Sequence, residues 1–187
     1  KISEFTAEVP GRKYVWSALS LFRLPDDTLL WFGRFDDPTS ELQWDADVVM
    51  FRSEDGGKTW SRAQKFHEFA LEGGIALLPS GRLLAAVRYQ RPLLPGDPPD
   101  LIKKTGGKRF PYKHIFLLDS DDDGRTWQNF RQLTTVFGQQ YGFPAALSDG
   151  TVVVVRTNGY NPNPSGLAMI SYDEGQTWED EAYYMYH

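Results

Sequence analysis

The 187-residue sequence contains no cysteine, so disulfide bonds and thiol catalysis are excluded. This absence does not distinguish a cytosolic protein from an exported one. No run of roughly 18 apolar residues occurs, and the sequence therefore predicts no membrane span. Sustained helical periodicity is absent as well, which favours an all-β chain.

Signatures of cofactor and nucleic-acid chemistry are also missing. The chain has no glycine-rich phosphate loop, and neither His67 nor His114 has the spacing of metal ligands. We interpret both histidines as structural and predict no cofactor and no metal. The net charge of −5 argues against a nucleic-acid partner.

The sequence does contain one eight-residue motif that occurs three times, with the pattern S-x-D-x-G-x-T-W. Chance does not plausibly repeat five fixed positions three times, so the chain is expected to be a repeat protein such as a propeller or solenoid. The copies are Ser53–Trp60, Ser120–Trp127 and Ser171–Trp178.

The motif predicts a tight turn of a β-hairpin that is closed by its own hydrogen bonds, which we call a clamp. An aspartate carboxylate accepts hydrogen bonds from backbone amides two or three residues later, and glycine supplies a positive φ. The tryptophan is expected to start the next strand and to offer a large apolar surface for packing. Three copies of a general acid make little chemical sense, whereas three copies of a fold element do. The structural residues of the clamps are Asp55, Trp60, Asp122, Trp127, Asp173 and Trp178.

A second repeat lies upstream of each clamp, as a short turn between two apolar runs that is typical of a β-hairpin. Its copies are Leu24–Leu30, Leu78–Leu84 and Leu147–Val153. Four short strands per repeat, which we name A to D, predict the blades of a β-propeller. We expect blade 1 at about 14–68, blade 2 at about 72–136 and blade 3 at about 141–187.

The connections alternate in length. The A–B and C–D turns are tight, whereas the B–C loops are long, at about 36–44, 90–113 and 158–166. In an up-and-down blade the long loops share one end of the sheet, and function usually lies on variable loops held by a rigid scaffold. The sequence therefore places a site at the B–C end, opposite the clamps.

Several residues at that end suit an acidic ligand. Arg34 and Arg88 both lie seven residues past the turn, where converging guanidinium groups could bind a carboxylate. Arg156 comes one residue earlier in its repeat, so alternation points it to the other face of its sheet unless a bulge intervenes. Asp36 and Asp37 follow Arg34 as ligand anchors or as an exposed turn.

Strand A and the loops add further candidates. Glu72, before two glycines, could act as a base or support a nucleophile, or be a plain loop carboxylate. Tyr141 and Tyr160 could stack on a sugar or act as a phenolate nucleophile, and packing is the alternative for both. The basic loop 90–113 predicts a lid or a contact to an acidic partner.

The repeated motif resembles the Asp-box, or BNR repeat, of the sialidase (neuraminidase) superfamily, and the resemblance covers nearly the whole chain. It implies a six-bladed sialidase-like β-propeller, of which this chain holds three blades. The family's Gly-Arg after strand B matches Gly33-Arg34, and its Asp-x-Asp strand matches Asp45-Ala46-Asp47. The acid/base aspartate of the family lies in the loop between them, where this chain offers Asp36, Asp37 and Glu41.

The resemblance implies a glycoside hydrolase acting on an acidic sugar, with sialic acid as the default and an extracellular or periplasmic location favoured. The chain has Trp16-Ser17-Ala18-Leu19 where the family carries Tyr-Arg-Ile-Pro, so that arginine is missing. A non-catalytic carbohydrate- or protein-binding propeller is the second hypothesis. A uronic-acid lyase is the third, with Tyr112 and His114 as an example of the pair that it needs.

Three blades cannot close a ring at normal blade geometry, and an unclosed sheet edge invites association. We therefore expect the remaining blades to come from a longer chain or from a second copy. A fragment or a natural half-propeller is favoured over an isolated monomer.

Overall fold

The computed structural model describes residues 15–36, 46–61, 64–101, 111–158, 166–179 and 183–185. Within these residues the chain forms twelve strands: β1 (Val15–Arg23), β2 (Leu29–Asp36), β3 (Ala46–Ser53), β4 (Gln64–His67), β5 (Ala70–Leu77), β6 (Leu83–Arg91), β7 (Tyr112–Ser120), β8 (Gln128–Gln132), β9 (Gln139–Ala146), β10 (Val152–Asn158), β11 (Gly166–Ser171) and β12 (Tyr183–Met185).

The strands form three four-stranded sheets in which neighbours in sequence are neighbours in space. Sheet 1 has the order β1-β2-β3-β4, sheet 2 the order β5-β6-β7-β8, and sheet 3 runs from β9 to β12 in the same way. Pairing is antiparallel throughout sheets 1 and 3 and along β6, β7 and β8. The prediction of an all-β chain with three four-stranded propeller blades is therefore confirmed.

The A–B turns have one geometry in all three sheets, because the leucine that opens each turn makes the same backbone bonds. The N–H groups of Leu24, Leu78 and Leu147 each donate to the carbonyl four residues later, at 2.8, 2.9 and 2.8 Å. The third residue after the leucine has a φ of 71°, 88° and 89° in the three copies. Glycine occupies this left-handed position twice, as its lack of a Cβ favours.

The Asp-box clamps are also nearly identical. In the first, Ser53 Oγ accepts the N–H of Gly57 at 2.9 Å and donates to Asp55 at 2.8 Å. The Asp55 carboxylate then accepts both the amide and the hydroxyl of Thr59, at 2.9 and 2.6 Å. These hydrogen bonds recur in the second and third clamps with distances within 0.1 Å.

Two details of the clamp differ from the prediction. The predicted bond from the amide three residues on forms in two copies, but in all three copies the aspartate also accepts the amide four residues on, which was not predicted. The tryptophan does not start strand D, since β4 begins at Gln64, after Trp60, and β8 begins at Gln128, after Trp127. The indoles of Trp60 and Trp178 instead fold back, and each donates to the carbonyl of its clamp glycine at 3.2 Å.

The chain divides into two compact units, Lys1–Leu71 and Glu72–His187. Sheet 1 lies in the first unit and has an aromatic core. Trp31 stacks on Phe51 with ring centroids 5.1 Å apart, and Phe32 meets the edge of Phe66 at 4.9 Å. Such aromatic pairs add to the stability that apolar burial provides.

The second unit contains sheets 2 and 3, which pack face to face. Sheet 2 presents alternate residues of β6 and β7, and sheet 3 presents alternate residues of β10, as strand periodicity requires. The shared core consists of Leu78, Leu84, Ala86, Ile115, Leu117, Leu133, Val152 and Val154.

Polar contacts fasten the third clamp to sheet 2 beside this core. Arg82 Nη2 donates to the carbonyl of Glu174 at 2.7 Å, and Arg131 Nη2 donates to that of Gly175 at 3.1 Å. Buried Asp119 holds both arginines, with oxygen–nitrogen distances of 3.6 Å to Arg82 and 2.7 Å to Arg131. The clamp end of the second unit is therefore a structural joint.

Candidate functional site

An arginine stands near the end of strand B in each sheet. Arg34, Arg88 and Arg156 are only 8%, 6% and 8% exposed. Buried guanidinium groups are rare unless they are paired, because removing a charge from water costs several kcal/mol. Each sheet therefore carries one buried arginine at its own B–C end.

Arg88 forms a buried ion pair with Glu72 of the neighbouring strand β5. Its Nη2 donates to Oε1 at 2.7 Å, and its Nε lies 2.7 Å from Oε2. The side chains are 7% and 9% exposed. Two contacts to one carboxylate fix the plane of the guanidinium group, which a single contact would leave free to turn.

Glycine next to Glu72 allows this pairing. A Cβ at Gly73 would lie 2.2 Å from the carbonyl oxygen of Ala86, so any side chain there would push β5 away from β6. Strand β5 also begins at Ala70, two residues before Glu72. Glu72 therefore lies within a strand, and the loop interpretation of this residue was wrong.

Tyr141 lies beside Arg88, with the guanidinium carbon 5.7 Å from the ring centroid. Its φ of 56° is uncommon for a residue with a side chain. The pairing of β9 with β10 shifts register here, between Val155 and Thr157, which is the sign of a bulge. A bulge that turns a 43% exposed phenol toward a buried arginine is a typical device for aiming a side chain at a site.

Gly142 holds this bulge tightly against sheet 2. A Cβ on Gly142 would lie 2.8 Å from Ile115 Cγ2 and 3.2 Å from Ala86 Cβ. A cation, a carboxylate and a phenol, from Arg88, Glu72 and Tyr141, are thereby brought together. We call these three residues the Arg88 cluster.

Arg156 lies on β10 on the same side as Val152 and Val154, which pack against sheet 2. The pairing of β10 with β11 continues without a break from Val152 to Thr157, so alternation along β10 is kept despite the bulge in β9. Arg156 and Arg88 thus lie on the two facing sides of sheets 3 and 2.

The remaining predicted residues lie in the first unit or outside the described residues. Arg34 lies in the first unit, opposite Val48 of β3, and Asp36 is the last residue of β2. Asp37, Glu41 and Tyr160 lie outside the residues that the structure describes.

A second cluster, missed from the sequence as a unit, occupies the other face of sheet 2. The Arg91 guanidinium carbon lies 3.5 Å from the ring centroid of Tyr112 and 5.9 Å from that of Tyr89. Asp97 holds the same guanidinium group at 2.5 and 3.2 Å. Arg91 is the last residue of β6 and is 9% exposed, so it does not belong to the long B–C loop in which the sequence placed it.

His114 completes this second cluster. It is 1% exposed, its Nδ1 lies 3.1 Å from Thr134 Oγ1, and its ring contacts Tyr112 at 5.1 Å between centroids. Burial lowers the pKa of His114 to about 4, so the imidazole is neutral near pH 7. The hydrogen bond from Arg91 lowers the pKa of Asp97, and burial raises the pKa of Tyr112.

Among the described residues, no group of three or more His, Cys, Asp or Glu side chains is arranged to hold a metal ion. The described part of the chain also contains no helix of the length and apolarity needed to cross a membrane.

Comparison with known proteins agrees with the repeat. The model of the BNR/Asp-box repeat matches residues 51–62, which include the first clamp. No curated protein sequence matches the chain significantly.

Solved structures show the fold at low sequence identity. The Hadza microbial sialidase Hz136 is 19% identical with a TM-score of 0.64, over 85% of this chain and 35% of its own. The NanB sialidase of Streptococcus pneumoniae is 14% identical with a TM-score of 0.69, over 97% and 46%. An ulvan lyase of polysaccharide lyase family PL25 is 11% identical with a TM-score of 0.55, over 85% and 41%.

The chain thus spans less than half the length of each of these three structures. The chain thus carries a BNR/Asp-box repeat on a fold similar to that of sialidase structures.

Proposed function

We propose that this chain forms part of a sialidase-like glycoside hydrolase that binds an acidic sugar at the B–C end of its blades. The observation that carries the proposal is the Arg88 cluster, in which Glu72 orients a buried guanidinium group beside the exposed ring of Tyr141. A fixed guanidinium group suits a sugar carboxylate, and a tyrosine ring suits the apolar face of a sugar.

The other candidate residues take roles around that anchor. Arg34 would be a second carboxylate ligand and Arg156 a third. An acid from the loop with Asp36, Asp37 and Glu41 would protonate the leaving oxygen, through an oxocarbenium-like transition state. Glu72 would support a nucleophile such as Tyr160 or Tyr141, or one from outside this chain.

Turnover of a fluorogenic sialoside tests the proposal. We expect turnover by the wild-type protein and at least a tenfold loss in the variant Arg88→Met, which removes the anchor. Arg82→Met is the matched control, since Arg82 is a partly buried arginine at the clamp end and contacts Glu174. Equal losses in the two folded variants would contradict the proposal.

A non-catalytic glycan-binding propeller is the second candidate. It is favoured by the absence of an arginine from Trp16–Leu19 and by the balance of charge between Arg88 and Glu72. Binding of sialylated glycans without any turnover, by a protein whose circular dichroism shows an intact β fold, would select this candidate over the hydrolase.

A uronic-acid lyase is the third candidate, because an ulvan lyase shares the fold and Arg91 stacks on Tyr112. Neutral His114 could accept a proton near pH 7, as a lyase base must. Its exposure of 1%, however, leaves no access for a substrate in this conformation. Formation of an unsaturated uronate, detected by its ultraviolet absorbance, would select the lyase.

A further inference from the structure

A buried lysine lies beside the Arg88 cluster, on the side of sheet 2 that packs on sheet 3. Lys113 of β7 pairs with Gln90 of β6, and two residues away on both strands Ile115 pairs with Arg88. Paired residues, and residues two apart in one strand, project to the same side of a sheet. Because Ile115 belongs to the core shared with sheet 3, Lys113 and Gln90 face sheet 3 as well.

Lys113 is unusually deep for a lysine. It is 4% exposed, and Gln90 opposite it is 9% exposed. Lysine is rarely buried to this extent, because removing an ammonium group from water costs several kcal/mol. The amide of Gly138 donates to the carbonyl of Lys113 at 2.9 Å, which fixes this end of β7. The fold thus holds a costly positive charge in the interior at the B–C end.

Three buried cations lie on the facing sides of sheets 2 and 3 at this end. They are Arg88 and Lys113 of sheet 2 and Arg156 of sheet 3, which are 6%, 4% and 8% exposed. Within the described part of the second unit, Glu72 is the only buried carboxylate at the B–C end, and it binds Arg88. The side chains buried here therefore include more cationic groups than anionic ones.

The other residues between β6 and β7 and between β10 and β11 do not reverse this sign. Asp97 holds Arg91 on the opposite face of sheet 2, and Asp100 is exposed. The sequence of segment 102–110 contains four lysines and arginines, that of segment 159–165 contains none, and neither contains aspartate or glutamate. A ligand with two anionic groups matches this excess of cations better than a ligand with a single carboxylate does.

We propose that Lys113 and Gln90 form a second anion subsite, which binds a sulfate or phosphate ester on the acidic sugar whose carboxylate Arg88 holds. The subsite rests on the proposed function and deepens it by naming a doubly anionic sugar as the ligand. An ammonium group is a compact charge that suits a tetrahedral oxyanion, and the glutamine amide can donate a further hydrogen bond. Diagonal neighbours on one side of an antiparallel pair lie about 7–8 Å apart, so Lys113 reaches a substituent of the same sugar that Arg88 binds.

Calorimetric titration with N-acetylneuraminic acid and with its singly O-sulfated and singly O-phosphorylated derivatives tests the subsite. We expect the wild-type protein to bind at least one ester about tenfold more tightly than the parent acid, which is the effect of one charge-assisted hydrogen bond. Lys113→Met should bind this ester and the parent acid equally, with its affinity for the parent acid unchanged. Lys113→Arg keeps the charge and should retain the preference. A preference confined to the sulfated or to the phosphorylated derivatives identifies which ester the subsite takes.

Lys58→Met is the control, since Lys58 is an exposed lysine of the first clamp and its loss should leave the ester preference intact. Circular dichroism checks that each variant folds, and the comparison of esters with the parent acid in the wild-type protein holds even if Lys113→Met does not fold. Equal binding of the parent acid and all of its esters by the wild-type protein, or an ester preference that survives in folded Lys113→Met, would overturn the subsite and leave the proposed function standing. Failure of every sugar to bind would overturn the proposed function, and the subsite with it.

Discussion

The two ends of the sheets differ in how closely the three repeats agree. At the clamp end, the bond from the glycine amide to the serine hydroxyl measures 2.9, 2.9 and 2.8 Å in the three copies. At the B–C end, a single position six residues before the turn leucine is Ala18, Glu72 or Tyr141. Uniformity at one end builds the scaffold, and divergence at the other supplies side chains for chemistry.

The largest effect that tests this contrast is expected from breaking the Arg88 cluster. Arg88→Met leaves the Glu72 carboxylate buried without its main partner, which should lower the free energy of unfolding by about 3–5 kcal/mol. The double variant Glu72→Gln/Arg88→Met should recover much of that loss, because it buries no charge at either position. Urea denaturation measures both, and a double variant no more stable than Arg88→Met would contradict the buried pair.

A smaller loss is expected from alanine at a clamp glycine. Gly57 and Gly175 have φ values of 85° and 81°, so a Cβ at either costs about 1–2 kcal/mol of strain. At Gly175 the Cβ would also lie 3.1 Å from Leu84 Cδ2, whereas at Gly57 the nearest atoms are 3.6 Å away. Gly175→Ala should therefore lower the melting temperature more than Gly57→Ala. Equal shifts in melting temperature would show that the third clamp is not in tight contact with sheet 2.

The clamps should also make the stability of the fold sensitive to acid. Hydrogen bonds from the Thr59 hydroxyl and amide lower the pKa of Asp55 to about 2, and Thr177 lowers the pKa of Asp173 to about 2 in the same way. A depressed carboxylate pKa means that this stabilisation is present above pH 3.8 and is lost as the pH falls toward 2. The stability of the double variant Asp55→Asn/Asp173→Asn should fall less steeply with falling pH than that of the wild-type protein. An unchanged pH dependence of stability would contradict the clamp role of these aspartates.

The smallest effect concerns His114, on the face of sheet 2 that carries Arg91. Burial lowers its pKa to about 4 from 6.5, so stability is present above pH 6.5 and declines as the pH falls toward 4. His114→Gln should flatten the stability curve between these two values. Nuclear magnetic resonance titration of the His114 ring provides a direct check, and a midpoint near 6.5 would show that the ring is not buried.

The sequence predicted the clamp end well because its interactions are local. Each Asp-box aspartate has its hydrogen-bond partners within four residues, so a short stretch of sequence contains the whole motif. The Glu72–Arg88 pair joins residues 16 apart on two strands, and Tyr141 reaches Arg88 through a bulge. Which side chains meet at that end depends on register, which no local pattern encodes.

The second cluster shows the same limit. The sequence placed the end of β6 before Arg91, because the residues that follow are rich in proline and charge. In the structure Arg91 extends the strand, since Tyr112 and Asp97 neutralise and cover its guanidinium group. Tertiary contacts therefore lengthen a strand that local composition alone would end earlier.

Calorimetric titration with N-acetylneuraminic acid and with its analogue reduced from carboxylate to alcohol tests the central claim most directly. The wild-type protein should bind the acid and bind the alcohol at least tenfold more weakly, and the folded double variant Glu72→Gln/Arg88→Met should lose this preference. Equal affinity for the two sugars, or a preference that survives in the double variant, would contradict the assignment of the Arg88 cluster as the carboxylate site.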